Sequence, residues 1–135
     1  MRFFLIFLIF TAACGDDSPP RILETSLPAA VTDGAGPFVV SAVVTDNRKV
    51  KEVNLLTTSD LSQASYQQKM REVAEEYYQI SIGPFPPGSR LYLIVEAADA
   101  DGNRAWHPHP DLSAETGCML STDQDQCWHE FSVQE

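Results

Sequence analysis

The feature that most constrains the fold of this chain is a series of short runs in which successive residues alternate between two faces. In the clearest run, residues 91–97, every second side chain is apolar and lies on one face, as in a half-buried β-strand. The residues from Asp99 to Asn103 end this run with turn-forming side chains. Other segments with strand character are predicted at 21–27, 38–45, 50–57, 66–70, 77–82 and 128–133.

About seven strands, joined by short connections and with almost no helical period, predict an all-β fold: a single antiparallel β-sandwich over residues 21–135. Segments 38–45 and 50–57 are predicted to pair as a hairpin, because a short polar turn separates them. Residues 61–76 would tolerate a helix, but we favour a strand, a loop and a second strand there. The chain has 135 residues, enough for one core and one domain.

The N-terminal residues have the order of an export signal. Arg2 precedes the apolar run 3–10, and the small residues 11–13 lead directly to Cys14. The apolar run is shorter than the roughly 20 residues that a membrane-spanning helix needs. We therefore predict a signal peptide over residues 1–13, followed by a polar tether over residues 14–20.

A cysteine placed directly after small residues resembles the lipobox of bacterial lipoproteins. The resemblance implies that Cys14 is acylated and that its lipid anchors the domain to a membrane. Because Gly15 rather than an aspartate follows Cys14, it also implies the outer membrane rather than the inner one. The alternative is ordinary secretion after cleavage at Ala13, which would leave Cys14 as a free thiol.

Charge and cysteine content agree with an exported chain. The net charge is −10, and removal of Arg2 with the signal makes the mature chain more negative, which argues against a nucleic-acid partner. If Cys14 carries lipid, Cys118 and Cys127 remain as a disulfide pair for an oxidising compartment. A metal site that combines these two cysteines with histidines is the competing use, but the usual ligand spacings are missing.

Several segments resemble bacterial immunoglobulin-like modules of the fibronectin type III kind. The resemblance rests on residues 43–47, 50–53 and 93–103 together with Met70, Tyr78 and Ile80, and it extends over about residues 20–107. It implies an immunoglobulin-like sandwich in which the turn from Asp99 to Asn103 closes a hairpin between long strands. Such modules serve as spacers, as companions of secreted hydrolases, and as adhesion or carbohydrate-binding units. We therefore expect a membrane-anchored binding module with a protein or glycan partner.

Two groups of residues are candidate binding sites. A possible Ca²⁺ site, and with it a calcium-linked adhesion role, is suggested by Asp99, Asp101 and Asn103, although the same residues also suit a capped turn. A second group of aromatic residues is a candidate sugar-stacking or partner surface, with burial in the core as the alternative: Tyr92, Trp106 and Trp128.

Catalysis is not predicted, because no serine or cysteine lies in a known nucleophile motif. The adjacent acids Glu75 and Glu76 would point to opposite faces of a strand and could not share a substrate. A small hydrolase or metal enzyme would instead require convergence of three histidines with the two C-terminal cysteines: His107, His109, His129, Cys118 and Cys127. No cofactor other than the possible Ca²⁺ is expected.

Overall fold

The computed structural model describes residues 18–108, 119–120 and 127–135. Across these ranges the chain forms two β-sheets and no helix, so the predicted all-β sandwich is confirmed. The predicted signal segment 1–13 lies outside the described residues, as do Cys14, His109 and Cys118. Nowhere in the described ranges is there a helix long and apolar enough to cross a membrane.

The described strands number eleven rather than about seven. Two of them are only two residues long, and the segment around Met70 divides into two strands. In addition, the strand Arg90–Asp99 pairs with two separate segments, Arg104–His107 and Cys127–Val133. The strands are β1 (Arg21–Ser26), β2 (Val31–Thr32), β3 (Phe38–Thr45), β4 (Val50–Thr58), β5 (Tyr66–Lys69), β6 (Arg71–Ala74), β7 (Tyr77–Ile82), β8 (Arg90–Asp99), β9 (Arg104–His107), β10 (Met119–Leu120) and β11 (Cys127–Val133).

The smaller sheet has the strand order β1-β3-β7-β6, and the larger sheet has the order β10-β11-β8-β4-β5. Two further strands belong to the larger sheet, since β9 pairs with β8 and β2 pairs with β11. The ladders are antiparallel as predicted, except that β2 and β11 run parallel. This parallel contact brings the segment after β1 across to the larger sheet, so the N-terminal region touches both layers.

The predicted hairpin between segments 38–45 and 50–57 is wrong. Strand β3 pairs with β1 and β7, whereas β4 pairs with β5 and β8 in the other sheet. Residues 46–49 therefore cross between the sheets, whose faces in such sandwiches lie about 10 Å apart. Alternation correctly shows which face of each strand is buried, but two strands with equivalent apolar faces can lie side by side or opposite each other across the core.

The main core lies between the sheets and follows the predicted alternation. Strands β3, β4 and β8 each contribute every second residue to it, and Phe131 of β11 packs among them. Three aromatic rings cluster at one end of this core: Phe38 stacks on Phe85, with ring centroids 6.3 Å apart, and both contact the edge of Phe131. Each of the first two rings follows a Gly-Pro pair that leads the chain into the core.

The chain changes sheets at Met70. Strand β5 lies at the edge of the larger sheet, β6 lies at the edge of the smaller sheet, and Met70 connects them. The Met70 amide donates a hydrogen bond to the Val53 carbonyl over 2.8 Å, and its side chain enters the core with 2% exposure. The two edges therefore adjoin on one side of the sandwich, bridged by a single buried residue.

Strands rather than a helix are confirmed within residues 61–76, where β5 and β6 together cover half of the positions. One detail differs from the prediction, because Glu75 and Glu76 occupy the turn between β6 and β7 rather than a strand. Glu76 has a φ of 64°, a left-handed conformation that is compatible with a tight turn but not with a strand. Both side chains are exposed.

Candidate functional site

The predicted turn from Asp99 to Asn103 closes the β8–β9 hairpin. Oδ1 of Asp99 accepts hydrogen bonds from the amides of Asp101 and Asn103, each over 2.9 Å. Oδ2 of Asp99 accepts a third bond, also of 2.9 Å, from the side-chain amide of Asn103. Both oxygens of this carboxylate are thus engaged within the turn, as in the capped-turn interpretation.

The electrostatics of the turn agree with this arrangement. Burial alone would raise the pKa of Asp99, but hydrogen bonds from Asn103, Asp101 and Gly102 outweigh it and hold that pKa below its usual value. Asp101 faces outward and lies 3.6 Å from the guanidinium of Arg48.

The described residues contain no group of three or more His, Cys, Asp and Glu side chains that could hold a metal ion. Calcium binding at this turn stays a prediction.

The three candidate aromatic residues lie together on the outer face of the larger sheet. Trp128 is only 4% exposed and forms a second apolar cluster with Leu56 and Ile94. Tyr92 and Trp106 are half-buried and pack against that cluster. The Trp106 indole nitrogen also donates to Glu96 over 3.0 Å. Packing accounts for this grouping, and Trp128 presents no open ring face to a sugar.

The histidines that the structure describes lie at the junction of β9 and β11. In the ladders of β8, His107 lies opposite Val95 and His129 lies opposite Leu93. Burial lowers the pKa of His107, and the charge of His129 lowers it further. A ring nitrogen of His129 lies 2.7 Å from the Pro28 carbonyl. Because Cys118 lies outside the described residues, the disulfide to Cys127 stays a prediction.

A different feature has the geometry of a binding site. A groove of about 470 Å³ opens on the side of the sandwich where the edges of the two sheets adjoin, between the start of β4 and the β5–β6 crossing. This volume falls within the range of small-molecule sites in proteins. We call it the edge groove, and its lining consists of Lys49, Val50, Lys51, Glu52, Val53, Lys69, Met70, Arg71, Glu72 and Tyr78.

The edge groove concentrates positive charge on an acidic protein. All three lysines of the chain line it, and Arg71 adds a fourth cation, although the whole chain has only nine lysines and arginines. Among the residues that the structure describes, Arg48, Arg90 and Arg104 form ion pairs, whereas none of the four groove cations does. The two carboxylates of the lining, Glu52 and Glu72, balance only part of this positive charge.

The floor of the edge groove is apolar and firmly held. Val53, Met70 and Tyr78 are buried members of the main core, so their positions are fixed by packing on the side away from the groove. Burial raises the pKa of Tyr78 well above its usual range, and a hydrogen bond to Glu72 raises it further. The Tyr78 hydroxyl therefore stays protonated, and Tyr78 lies opposite Glu72, one of the two carboxylates in the lining, in the pairing of β6 with β7.

Two smaller cavities adjoin the same side of the sandwich. One of about 210 Å³ shares Lys49 with the edge groove and includes Asp46, whose carboxylate oxygens are buried and have no hydrogen-bond partner among the described residues. The other, of about 360 Å³, lies farther along the edge beside Tyr66 and Phe85. The edge groove is the largest of the three, and it alone combines four cations with an apolar floor.

No protein-family model matches this chain, and no curated protein matches it either.

The edge groove was not predicted from the sequence, although the lysines gave one signal of it. The three lysines occur at positions 49, 51 and 69. They approach one another only because β4 lies beside β5, at the end of which the chain crosses to the other sheet.

Proposed function

We propose that this protein is a lipid-anchored, non-catalytic binding module of the cell envelope, and that the edge groove is its binding site. The observation that carries the proposal is the ring of cations without ion pairs around an apolar floor. Lysines on exposed strand edges also discourage aggregation, but such protection does not require a cavity beneath them. A concave site with an apolar surface and a few converging polar groups is typical of ligand binding.

The fold supports a module of the immunoglobulin-like kind. Two sheets enclose one core, the chain crosses from the edge of one sheet to the edge of the other at Met70, and β2 pairs in parallel with β11 in the larger sheet. This arrangement is compatible with the resemblance seen in the sequence. Modules of this kind present binding surfaces on a rigid framework, and fold alone does not identify the ligand.

The position of the N-terminal segment relates the groove to the proposed anchor. Arg21, the first residue of β1, lies opposite Thr45 at the end of β3, and the chain then passes through residues 46–49 to the groove. The N-terminal segment thus joins the sandwich at the end where Lys49 lines the groove. Seven residues from Cys14 to Arg21 span at most roughly 25 Å, so a lipid on Cys14 would hold this end of the sandwich near the membrane surface.

Mass spectrometry under native conditions tests both parts of the proposal. The chain would be extracted from its own membranes in a neutral detergent and weighed intact. We expect acyl mass on Cys14 and, in addition, a non-covalently bound small molecule. A triple variant, Lys49→Gln with Lys51→Gln and Lys69→Gln, should keep the acyl mass and lose the bound molecule.

The matched control is Arg21→Gln, which removes an exposed cation outside the groove and should retain the bound molecule. A mature chain without acyl mass would contradict the anchor. Equal retention of the bound molecule by the wild type and the triple variant would contradict the assignment of the edge groove as the site.

A further inference from the structure

The chemistry of the edge groove identifies a class of ligand, an inference that rests on the proposed function. We infer that the groove binds a small amphiphilic anion, in which a carboxylate or phosphate head is attached to an apolar body. The head would lie among the lysines at the rim, and the apolar body would cover the floor. Three properties of the groove lead to this class.

The first property is that cations approach from both sides of the groove. Lys49 directly precedes β4 and Lys51 lies at its start, whereas Lys69 and Arg71 flank the crossing at Met70. An ammonium or guanidinium group offers several donors and no acceptor, which suits the oxygens of an anion. Because the rest of the chain is strongly acidic, this local positive region is where an anion is attracted rather than repelled.

The second property is the balance of charge. The lining contains four cations and two carboxylates, Glu52 and Glu72. Such a lining has a modest excess of positive charge, which matches a head with one or two negative charges. A polyanion would extend beyond the groove over the acidic surface around it, including Glu75 and Glu76.

The third property is that apolar atoms make up most of the surface that lines the groove, above a floor of core residues that are themselves largely buried: Val53, Met70 and Tyr78. A bare inorganic anion would leave this surface in contact with water, whereas a ring or a short acyl chain would cover it. The volume of about 470 Å³ accommodates a molecule of that size. An apolar body therefore adds contacts that a charged head alone cannot make.

Calorimetry with three small probes tests the inference on the full-length chain, held in discs of phosphatidylcholine, with empty discs as the blank. Phenylbutyrate supplies both head and body, phenylbutyramide supplies the same body without charge, and inorganic phosphate supplies charge without the body. We expect phenylbutyrate to bind at least about tenfold more tightly than either of the others. The Lys49→Gln, Lys51→Gln, Lys69→Gln variant should lose this advantage, and Arg21→Gln should keep it.

Two sources could supply such an anion: lipids of the surrounding membrane and soluble amphiphiles. Discs that contain anionic phosphatidylglycerol separate them, because a lipid headgroup in the groove would weaken phenylbutyrate binding relative to phosphatidylcholine discs. A soluble ligand predicts equal binding in both discs. Either result supports the ligand class and identifies its source.

Equal affinity for phenylbutyrate and phenylbutyramide would overturn the inference, as would undiminished phenylbutyrate binding by the triple variant. The proposed function is tested separately by the mass measurement. If the chain retains a native molecule that the triple variant loses, but does not bind phenylbutyrate, then the ligand class is wrong and the groove remains the site.

Discussion

The turn between β8 and β9 depends on two residues with different roles. Asp99 provides acceptors for the amides of the turn, and Gly102 adopts a φ of 88° that residues with a side chain rarely adopt. The sequence predicted this turn correctly because both requirements are local. A short segment that contains its own hydrogen-bond partners needs no information from distant strands.

Gly102→Ala should destabilise the domain by about 1–2 kcal/mol, because alanine is strained at this positive φ. Gly34→Ala is the matched control. A Cβ at either position meets no other atom within 4 Å, but Gly34 does not have a positive φ. The control should be neutral or should stabilise the domain by up to about 1 kcal/mol. Urea unfolding measures both changes, and equal effects would contradict the backbone explanation.

Asp99 should contribute to the loss of stability in acid. Its pKa in the folded state lies below its usual value of 3.8, so its contribution is complete above that value and declines as the pH falls through the lower folded pKa. The melting temperature of the wild type should therefore fall more steeply than that of Asp99→Asn between about pH 5 and pH 2. Parallel curves for the two proteins would show that the turn hydrogen bonds do not favour the ionised carboxylate.

At the scale of the element, the crossing at Met70 determines the shape of the sandwich edge. One buried side chain lies between two exposed cations, Lys69 and Arg71, and holds the ends of β5 and β6 to different sheets. Residues 66–70 were correctly predicted to be extended. The change of sheet was not predicted, because it depends on a contact between residues that are distant in the chain. The Met70 amide donates a hydrogen bond to the Val53 carbonyl.

The alternation of β3, β4 and β8 predicted their buried faces, but it gave β3 and β4 the wrong partners. Val40 and Leu55 are both completely buried, and each lies on a strand with a regular apolar face. Period-two alternation is a property of one strand, whereas pairing depends on the positions of all strands around the core. Element type and buried face are therefore predictable here, and neighbours are not.

Met70→Ala should destabilise the domain by roughly 2–5 kcal/mol, because it removes a buried side chain from the core and leaves a cavity. Val73→Ala, in the adjoining strand β6, is the matched control because Val73 is 40% exposed. Its effect should stay within about 0.5 kcal/mol. Chemical denaturation measures both variants. A Met70→Ala effect as small as that of the control would show that the crossing does not depend on this side chain.

At the scale of the whole molecule, the edge groove results from the assembly of the two sheets. Two of its cations, Lys51 and Lys69, lie 18 positions apart in the chain. They come together where β4 lies beside the end of β5, next to the crossing at Met70. Sequence patterns describe each strand separately, so the composition of this site was not predictable. The net charge of the chain gave no indication of the site either. It is strongly negative because it sums over the whole sequence, whereas the groove is a local region of positive charge.

Photocrosslinking in the native envelope tests the groove as a binding site most directly. A photoreactive side chain would replace Glu52, which lines the groove but is not one of its cations, or, as a control, Leu23, which is 53% exposed in β1 at the opposite edge of the smaller sheet. We predict a small-molecule adduct at position 52 that disappears when Lys49, Lys51 and Lys69 are changed to glutamine, and no such adduct at position 23. Equal labelling at the two positions, or labelling at position 52 that is unaffected by loss of the lysines, would contradict the edge groove as the binding site.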